Sequence, residues 1–289
     1  MVKIGKAQML PSWRCAKLSE TKCFVAFALS RPHLSLVISC LVVRTLALDI
    51  GNTAVKYGCF ADDVLVESAS HQTPDQIRDA VQRLQPTHAI VASVAEPTTA
   101  WAAELQPLVP GRVLEFVPAA TPLPIGNAYA TPQTLGADRL AAAVGAAWLL
   151  PHRNVVIVDA GTAIKCDLVD ATGTFRGGSI APGLGMRFRA LHTFTGRLPL
   201  LEWPAASDEV VPLTGTDTQS AIWSGVLNGA ASEVRGLLAD YADQYPQVAV
   251  VLAGGDAAFF HARLKGSIFV VPELVLIGLH RILVHHVST

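Results

Sequence analysis

The sequence has no C-x-x-C pair and no His pair at zinc-finger spacing. Its five Cys (Cys15, Cys23, Cys40, Cys59 and Cys166) are odd in number and scattered. A disulfide framework or structural zinc is therefore not expected, and the thiols read as buried groups in a reducing compartment. Charge is also scarce. Asp, Glu, Lys and Arg make up 16% of the 289 residues, and the formal net charge is −1. A near-neutral chain lacks the broad field that draws in DNA, RNA or anionic lipid, though a local basic patch stays open. Nor is there an unbroken apolar run of the roughly 20 residues that span a bilayer. Nucleic acid and membrane are thus not expected partners. What the chain has in quantity is apolar residues, 51% of the total, which excludes a disordered protein. Its length suits one large domain or two ordinary ones.

Residues 1–44 differ from the rest. Lys3, Lys6, Arg14, Lys17 and Lys22 stand there with a single acid, Glu20. Short apolar stretches at 23–29 and 34–43 follow, broken by Arg31-Pro32-His33. A basic start before an apolar run imitates a secretion signal, but no small-x-small cleavage site follows it. The expected reading is an extension that is not part of the fold, with the true start near Val42 or Val43. A disordered or targeting tail is the alternative.

Past residue 44 one local plan occurs twice. Strands are expected at 45–48, 54–60 and 64–68, joined by Asp49-Ile50-Gly51-Asn52-Thr53 and Ala61-Asp62-Asp63. The second copy has strands at 155–158, at 164–169 and from Thr174 onward. Its turns are Asp159-Ala160-Gly161-Thr162 and Asp170-Ala171-Thr172-Gly173. Repetition of Asp-x-Gly-[Asn/Thr] at the end of an apolar strand predicts two related domains facing one another. A glycine lets backbone approach a phosphate, and neighbouring N–H groups can donate to its oxygens. The Asp can hold a metal ion or its water shell. A single copy would read as a plain hairpin turn; two copies in the same setting point to a paired phosphate site.

Between the copies, helical spacing predicts a helix over 74–85, with further elements at 88–94, 100–108 and 113–117. Residues 118–135 read as a loop. Gly136-Ala137-Asp138-Arg139 then opens a helix over 140–150 that stops at Pro151. Asp138 could cap that helix or serve as a base that takes a proton from an alcohol. Arg139 offers a planar fork for a carboxylate or phosphate. Downstream lie a glycine-rich bend at 177–183, a helix beginning over 186–191, and a long helix over 219–241. Asp217 or Thr218 would cap that helix. A strand at 248–252 runs into Gly254-Gly255, a tight turn or a place for a nucleotide to approach. Trp101, Trp148, Trp203 and Trp223 read as packing residues. His88, His192, His261, His285 and His286 share no metal spacing.

In this order the motifs resemble those of the type III pantothenate kinases, members of the actin-like, acetate and sugar kinase superfamily. The resemblance spans about residues 45–280. It rests on Asp49 to Thr53 with Lys56, Gly136 to Arg139, Asp159 to Ala163 with Asp167, Gly177-Gly178 with Pro182-Gly183, Thr195 with Leu198-Pro199, Gly215 with Thr218, and Gly254-Gly255. It implies an α/β fold of two similar actin-like (ribonuclease H-like) domains at 45–152 and 153–289, each a mixed β-sheet with flanking helices. It implies ATP- and Mg²⁺-dependent phosphorylation of pantothenate, the first step toward coenzyme A, in a cytoplasmic homodimer. Carried over, Asp49, Ile50, Gly51, Asn52, Thr53, Ala54, Val55 and Lys56 form the first phosphate loop. Asp49 holds Mg²⁺ through water and Thr162 touches ATP. Asp138 is the general base. Tyr129, Gly136, Ala137, Asp138, Arg139 and Thr218 bind pantothenate, Arg139 through the carboxylate. Asp159 holds a monovalent cation, K⁺ or NH₄⁺. Where the family continues with two Thr, this chain has Ile164 and Lys165; the Lys165 ammonium could replace that cation wholly or in part, or Lys165 could point to solvent, since side chains alternate between the faces of a strand. The alternatives are another kinase or phosphatase of the superfamily, acting on a sugar or acetate, and a non-catalytic regulator that binds nucleotide or pantothenate.

Overall fold

The computed structural model describes residues 43–202 and 211–287. The expected N-terminal extension, but for its last two residues, and Cys15, Cys23, Cys40 and Trp203 lie outside the described residues.

The first half is built on β1 (Arg44–Ile50), β2 (Val55–Ala61), β3 (Val64–Ser70), α1 (Pro74–Leu84), β4 (His88–Ser93), α2 (Thr98–Leu105) and β5 (Val113–Glu115). Its five strands lie in the order β3-β2-β1-β4-β5. The β1–β2 and β2–β3 pairs are antiparallel, while β4 and β5 run parallel to β1. Both faces of β1 are covered, which is why it reads as a nearly continuous apolar run. Leu46, Leu48 and Ile50 meet Ile77 and Val81 of α1 and Trp101 of α2 on the outer side. Helix α1 starts where Thr73 and Gln76 cap each other's backbone N–H groups, the reciprocal arrangement that satisfies two orphan donors. Ala47 faces the other way, toward the centre of the molecule. Alternation along the strand puts Asp49 on that same inner face.

Next come a two-residue strand, β6 (Gly126–Asn127), and α3 (Ala137–Leu149). The second half has β7 (Val155–Ala160), β8 (Ala163–Val169), β9 (Thr174–Pro182), α4 (Leu184–Thr193), α5 (Thr218–Trp223), α6 (Gly229–Gln244), β10 (Ala249–Ala253), α7 (Ala257–His261), β11 (Ile268–Val270) and α8 (Leu274–Val287). Its sheet runs β11-β10-β7-β8-β9-β6. Without β6 this is the order and sense of the first sheet, with β7 in the place of β1. The repeated sequence plan is therefore a repeated fold. The long helix expected over 219–241 is present, but a π turn at Ser224–Asn228 divides it into α5 and α6. Asp217 caps it, accepting from the Ser220 N–H.

Two elements cross between the halves. Strand β6 pairs with β9, and α8 packs on β1, β2 and β4. Helices α3 and α8 share one apolar layer with the inner faces of both sheets. They approach closely because both carry glycine at the crossing. A Cβ on Gly278 would lie 1.7 Å from the Ala141 carbonyl oxygen, and one on Gly145 would lie 2.6 Å from that of Leu274. The sequence pattern predicts no helix over α8. That segment is apolar on nearly every side, so it carries no amphipathic stripe to read; Leu274, Leu279, Ile282 and Leu283 are all fully buried.

Candidate active site

The turns after β1 and β7 have the same construction. Asp49 stands directly across from Lys56 in the β1–β2 ladder, and Asp159 directly across from Lys165 in the β7–β8 ladder. In each turn the glycine N–H is used internally: Gly51 donates to the Ala54 carbonyl at 3.1 Å and Gly161 to that of Ala163 at 3.0 Å. The turns also meet. The Thr53 and Thr162 hydroxyls are 2.7 Å apart, and Asn52, Thr53 and Thr162 are exposed beside one another's turns. Ile50 is buried among apolar side chains, so its side chain belongs to the core.

Helix α3 begins at the level of these turns. Gly136 is its N-cap residue, with no side-chain capping bond. Asp138, in the first turn, accepts from the Arg139 N–H through Oδ1 at 2.9 Å. Its Oδ2 receives the Lys165 ammonium at 2.6 Å, and the same ammonium reaches Asp159 Oδ2 at 2.6 Å. The Asp138 side chain keeps 19% of its surface exposed and that of Lys165 keeps 14%. The carboxylate thus serves the helix start with one oxygen and the Lys165 ammonium with the other. The alternation that would let Lys165 point to solvent instead turns it inward, to the same face as Asp159.

Electrostatics follow from this convergence. Burial raises the Asp49 carboxyl to about 6; the Asp138 and Asp159 charges add to the rise, while Lys56 and Lys165 oppose it. Burial alone would favour neutral Lys165, but Asp159 and Asp138 outweigh it and hold the ammonium above its ordinary range.

Arg139 corrects one expectation. Its guanidinium is not free to fork a ligand carboxylate, because Nε and Nη2 already grip Asp167 at 3.0 Å and 2.5 Å. Both side chains are only 4% exposed. Burial pushes Asp167 upward and the guanidinium pulls it back. Nη1 is left, 3.4 Å from the Tyr129 hydroxyl, and the cation lies over the Tyr129 and Phe175 rings. The pair ties the start of α3 to β8, fixing where Asp138 sits. Tyr129 in turn lies over Gly177, whose φ of +89° and close ring contact leave no place for a side chain.

Gly254 has φ +88°, and a Cβ there would lie 2.6 Å from Asp159 Oδ1. The Gly-Gly turn therefore lets β10 close against the end of β7. Ala137 is buried behind the helix start, Ala54 and Val55 are half-buried in the first turn, and Thr218 is exposed at the start of α5. No hydrogen bond or ion pair among the described residues joins Thr218 to the Asp138 cluster. Among the described residues no group of three His, Cys, Asp or Glu could hold a metal ion by itself. Mg²⁺ is usually held by one or two carboxylates with water and substrate phosphates, and the carboxylate of Asp49, at the end of β1, is an oxygen donor of that kind. No helix among the described residues is long and apolar enough to cross a membrane.

The family model described as type III pantothenate kinase matches residues 45–240. A type III pantothenate kinase of Cytophaga hutchinsonii is 41% identical over 242 residues, covering 84% of this chain and 99% of that protein. One of Bacteroides fragilis is 42% identical over 240 residues, covering 82% and 96%. Among solved structures, a protein described as a conserved Baf family transcriptional activator from Campylobacter jejuni superposes with TM-score 0.57 at 19% identity, covering 84% of this chain and all 100% of that one. A protein described as a 2-dehydro-3-deoxygalactonokinase from Sinorhizobium meliloti gives 0.51 at 16% identity, covering 84% and 99%. These two likenesses bear on the fold, which is the two-sheet actin-like one expected.

Proposed function

The chain belongs to the type III pantothenate kinase family, and from that premise we propose that the cleft between the Asp49 and Asp159 turns transfers the γ-phosphoryl group of ATP to pantothenate. The observation that carries this reading is the position of Asp138. Its Oδ2 receives the Lys165 ammonium, which also holds Asp159 at the start of one of two Asp-x-Gly turns joined through Thr53 and Thr162. Phosphates lie against the exposed N–H and hydroxyl groups of Asn52, Thr53 and Thr162, with Lys56 adding charge. The primary hydroxyl of pantothenate lies against Asp138. Its oxygen bonds to the γ-phosphorus as the bond to the β-bridging oxygen breaks. The alcohol proton passes to Asp138, and ADP leaves. Phosphoryl transfer asks mostly for positioning and charge stabilisation, and the Arg139–Asp167 pair supplies positioning by anchoring α3. When bound through Asp49, Mg²⁺ supplies charge for the phosphate oxygens.

The monovalent cation expected on Asp159 does not fit beside the Lys165 ammonium, which already holds Asp159 Oδ2. Pantothenate meets the Tyr129 phenol, which Arg139 holds in place from behind; Thr218 is kept as a more distant contact. We place the boundary between the two halves near residue 152, and the enzyme in the cytoplasm as a homodimer.

The test is coupled ADP release with ATP and Mg²⁺, using pantothenate against a panel of sugars, acetate and small alcohols. Pantothenate is expected to be the preferred acceptor. ADP release with a sugar or acetate but not pantothenate would contradict the reading, as would nucleotide and pantothenate binding with no release.

A further inference from the structure

We propose that Lys165 is the permanent monovalent cation of this site, a tethered ammonium that balances the carboxylates around the transferred phosphoryl group and makes a free K⁺ or NH₄⁺ unnecessary. The proposal rests on the kinase reading above.

Position is the first argument. Three carboxylates, Asp49, Asp138 and Asp159, lie near enough to one another for the charges of the last two to act on the first. The Lys165 Nζ touches two of them, at 2.6 Å each. An ammonium has the charge of K⁺ and a comparable size, and Lys carries it as a compact point charge on a flexible stem. The surroundings are the second. A potassium ion needs several oxygen ligands, and the segment after Gly161-Thr162 offers Ala163, Ile164 and Lys165, none with a side-chain oxygen. Ile164 is turned into the apolar layer of the second half. A free cation on Asp159 would share Oδ2 with an ammonium of like charge.

The arrangement also repeats within the chain. Lys165 holds in the second hairpin the place that Lys56 holds in the first, each directly across the ladder from the Asp that ends the preceding strand. The site thus carries one lysine per phosphate turn. Lys165 also spans from the turn to α3, so it positions Asp138 as well as neutralising it.

The experiment titrates wild type, Lys165→Thr and Lys165→Met with KCl and NH₄Cl, holding ionic strength with tetramethylammonium chloride. ADP release is one readout. Calorimetric binding of a non-hydrolysable ATP analogue and the melting temperature are the others. The wild type is expected to ignore K⁺ and NH₄⁺ in all three. Lys165→Thr is expected to lose roughly 10²-fold in turnover without added cation and to regain about tenfold or more with K⁺ or NH₄⁺, a step of about 1.4 kcal/mol. Its melting temperature and analogue binding should rise with the same cations. Lys165→Met, which fills the space with an apolar stem, should be inactive and rescued less. Strong activation of the wild type by K⁺ would overturn the proposal. So would a Lys165→Thr enzyme that is fully active without cation, or one that no cation rescues. If the variants do not fold, the wild-type titration decides alone. If pantothenate is not phosphorylated at all, the function assigned above fails, while the melting and binding readouts still judge Lys165.

Discussion

Thr53 and Thr162 share a hydrogen bond of 2.7 Å between hydroxyls, joining the two turns that repeat one plan in the two halves of the chain. The contact is exposed, so its worth lies in holding the turns for a ligand more than in stability. Thr162→Val is expected to raise KM for ATP several-fold, on the order of the 1 kcal/mol of an ordinary hydrogen bond, with a smaller change in kcat. A fall in kcat with KM unchanged would show that the hydroxyl acts in the transition state alone.

Breaking the Arg139–Asp167 pair on one side leaves a buried charge. Asp167→Ala is expected to lower unfolding free energy by about 3–5 kcal/mol, measured by urea denaturation. The double variant Arg139→Met with Asp167→Leu should recover most of that loss, yet turn over poorly because α3 loses its tie to β8. An Asp167→Ala protein as stable as wild type would show that the pair is not holding α3.

Asp49 sets a pH dependence. In the fold its carboxyl titrates near 6, against an ordinary 3.8. The folded state therefore holds this proton more tightly than the unfolded chain. The resulting stability is full below the ordinary value and is lost as pH rises through about 6. In Mg²⁺-free buffer at about pH 8, Asp49→Asn is expected to unfold with roughly 3 kcal/mol more free energy than wild type, and at about pH 4 with an excess of only about 0.5 kcal/mol. An equal difference at both pH values would contradict this.

The 242 residues that align with the Cytophaga hutchinsonii relative cover 99% of that protein, and the family match begins at residue 45. A chain beginning at Val43 is therefore expected to express, melt and turn over like the full-length chain. Loss of soluble protein or of activity on shortening would make residues 1–42 integral.

Much of this site could be read from the sequence because its signals are local. Asp49 and Asp159 announce themselves through the glycine and threonine that follow. Asp138 does so through its place at a helix start. What could not be read depends on register and packing. That Asp159 lies across from Lys165 depends on a turn one residue shorter than the one between Asp49 and Lys56. That Arg139 spends its fork on Asp167 depends on how α3 lies over β8, which no spacing encodes. Helix α8 escaped because its apolar residues are not confined to one stripe. His280, on the same helix, is buried against Phe60 and bonded to Thr45, and nothing around it in the sequence marks that contact.

In the proposed reaction Asp138 takes the proton of the pantothenate hydroxyl. Its most direct test is Asp138→Asn, assayed for turnover beside calorimetric binding of ATP and pantothenate. The amide keeps the shape and can still accept from Arg139 N–H, but it cannot take the proton. Binding of both ligands is expected to stay near wild type while kcat falls by roughly 10²-fold or more. A folded Asp138→Asn enzyme that turns over at close to the wild-type rate would contradict the account.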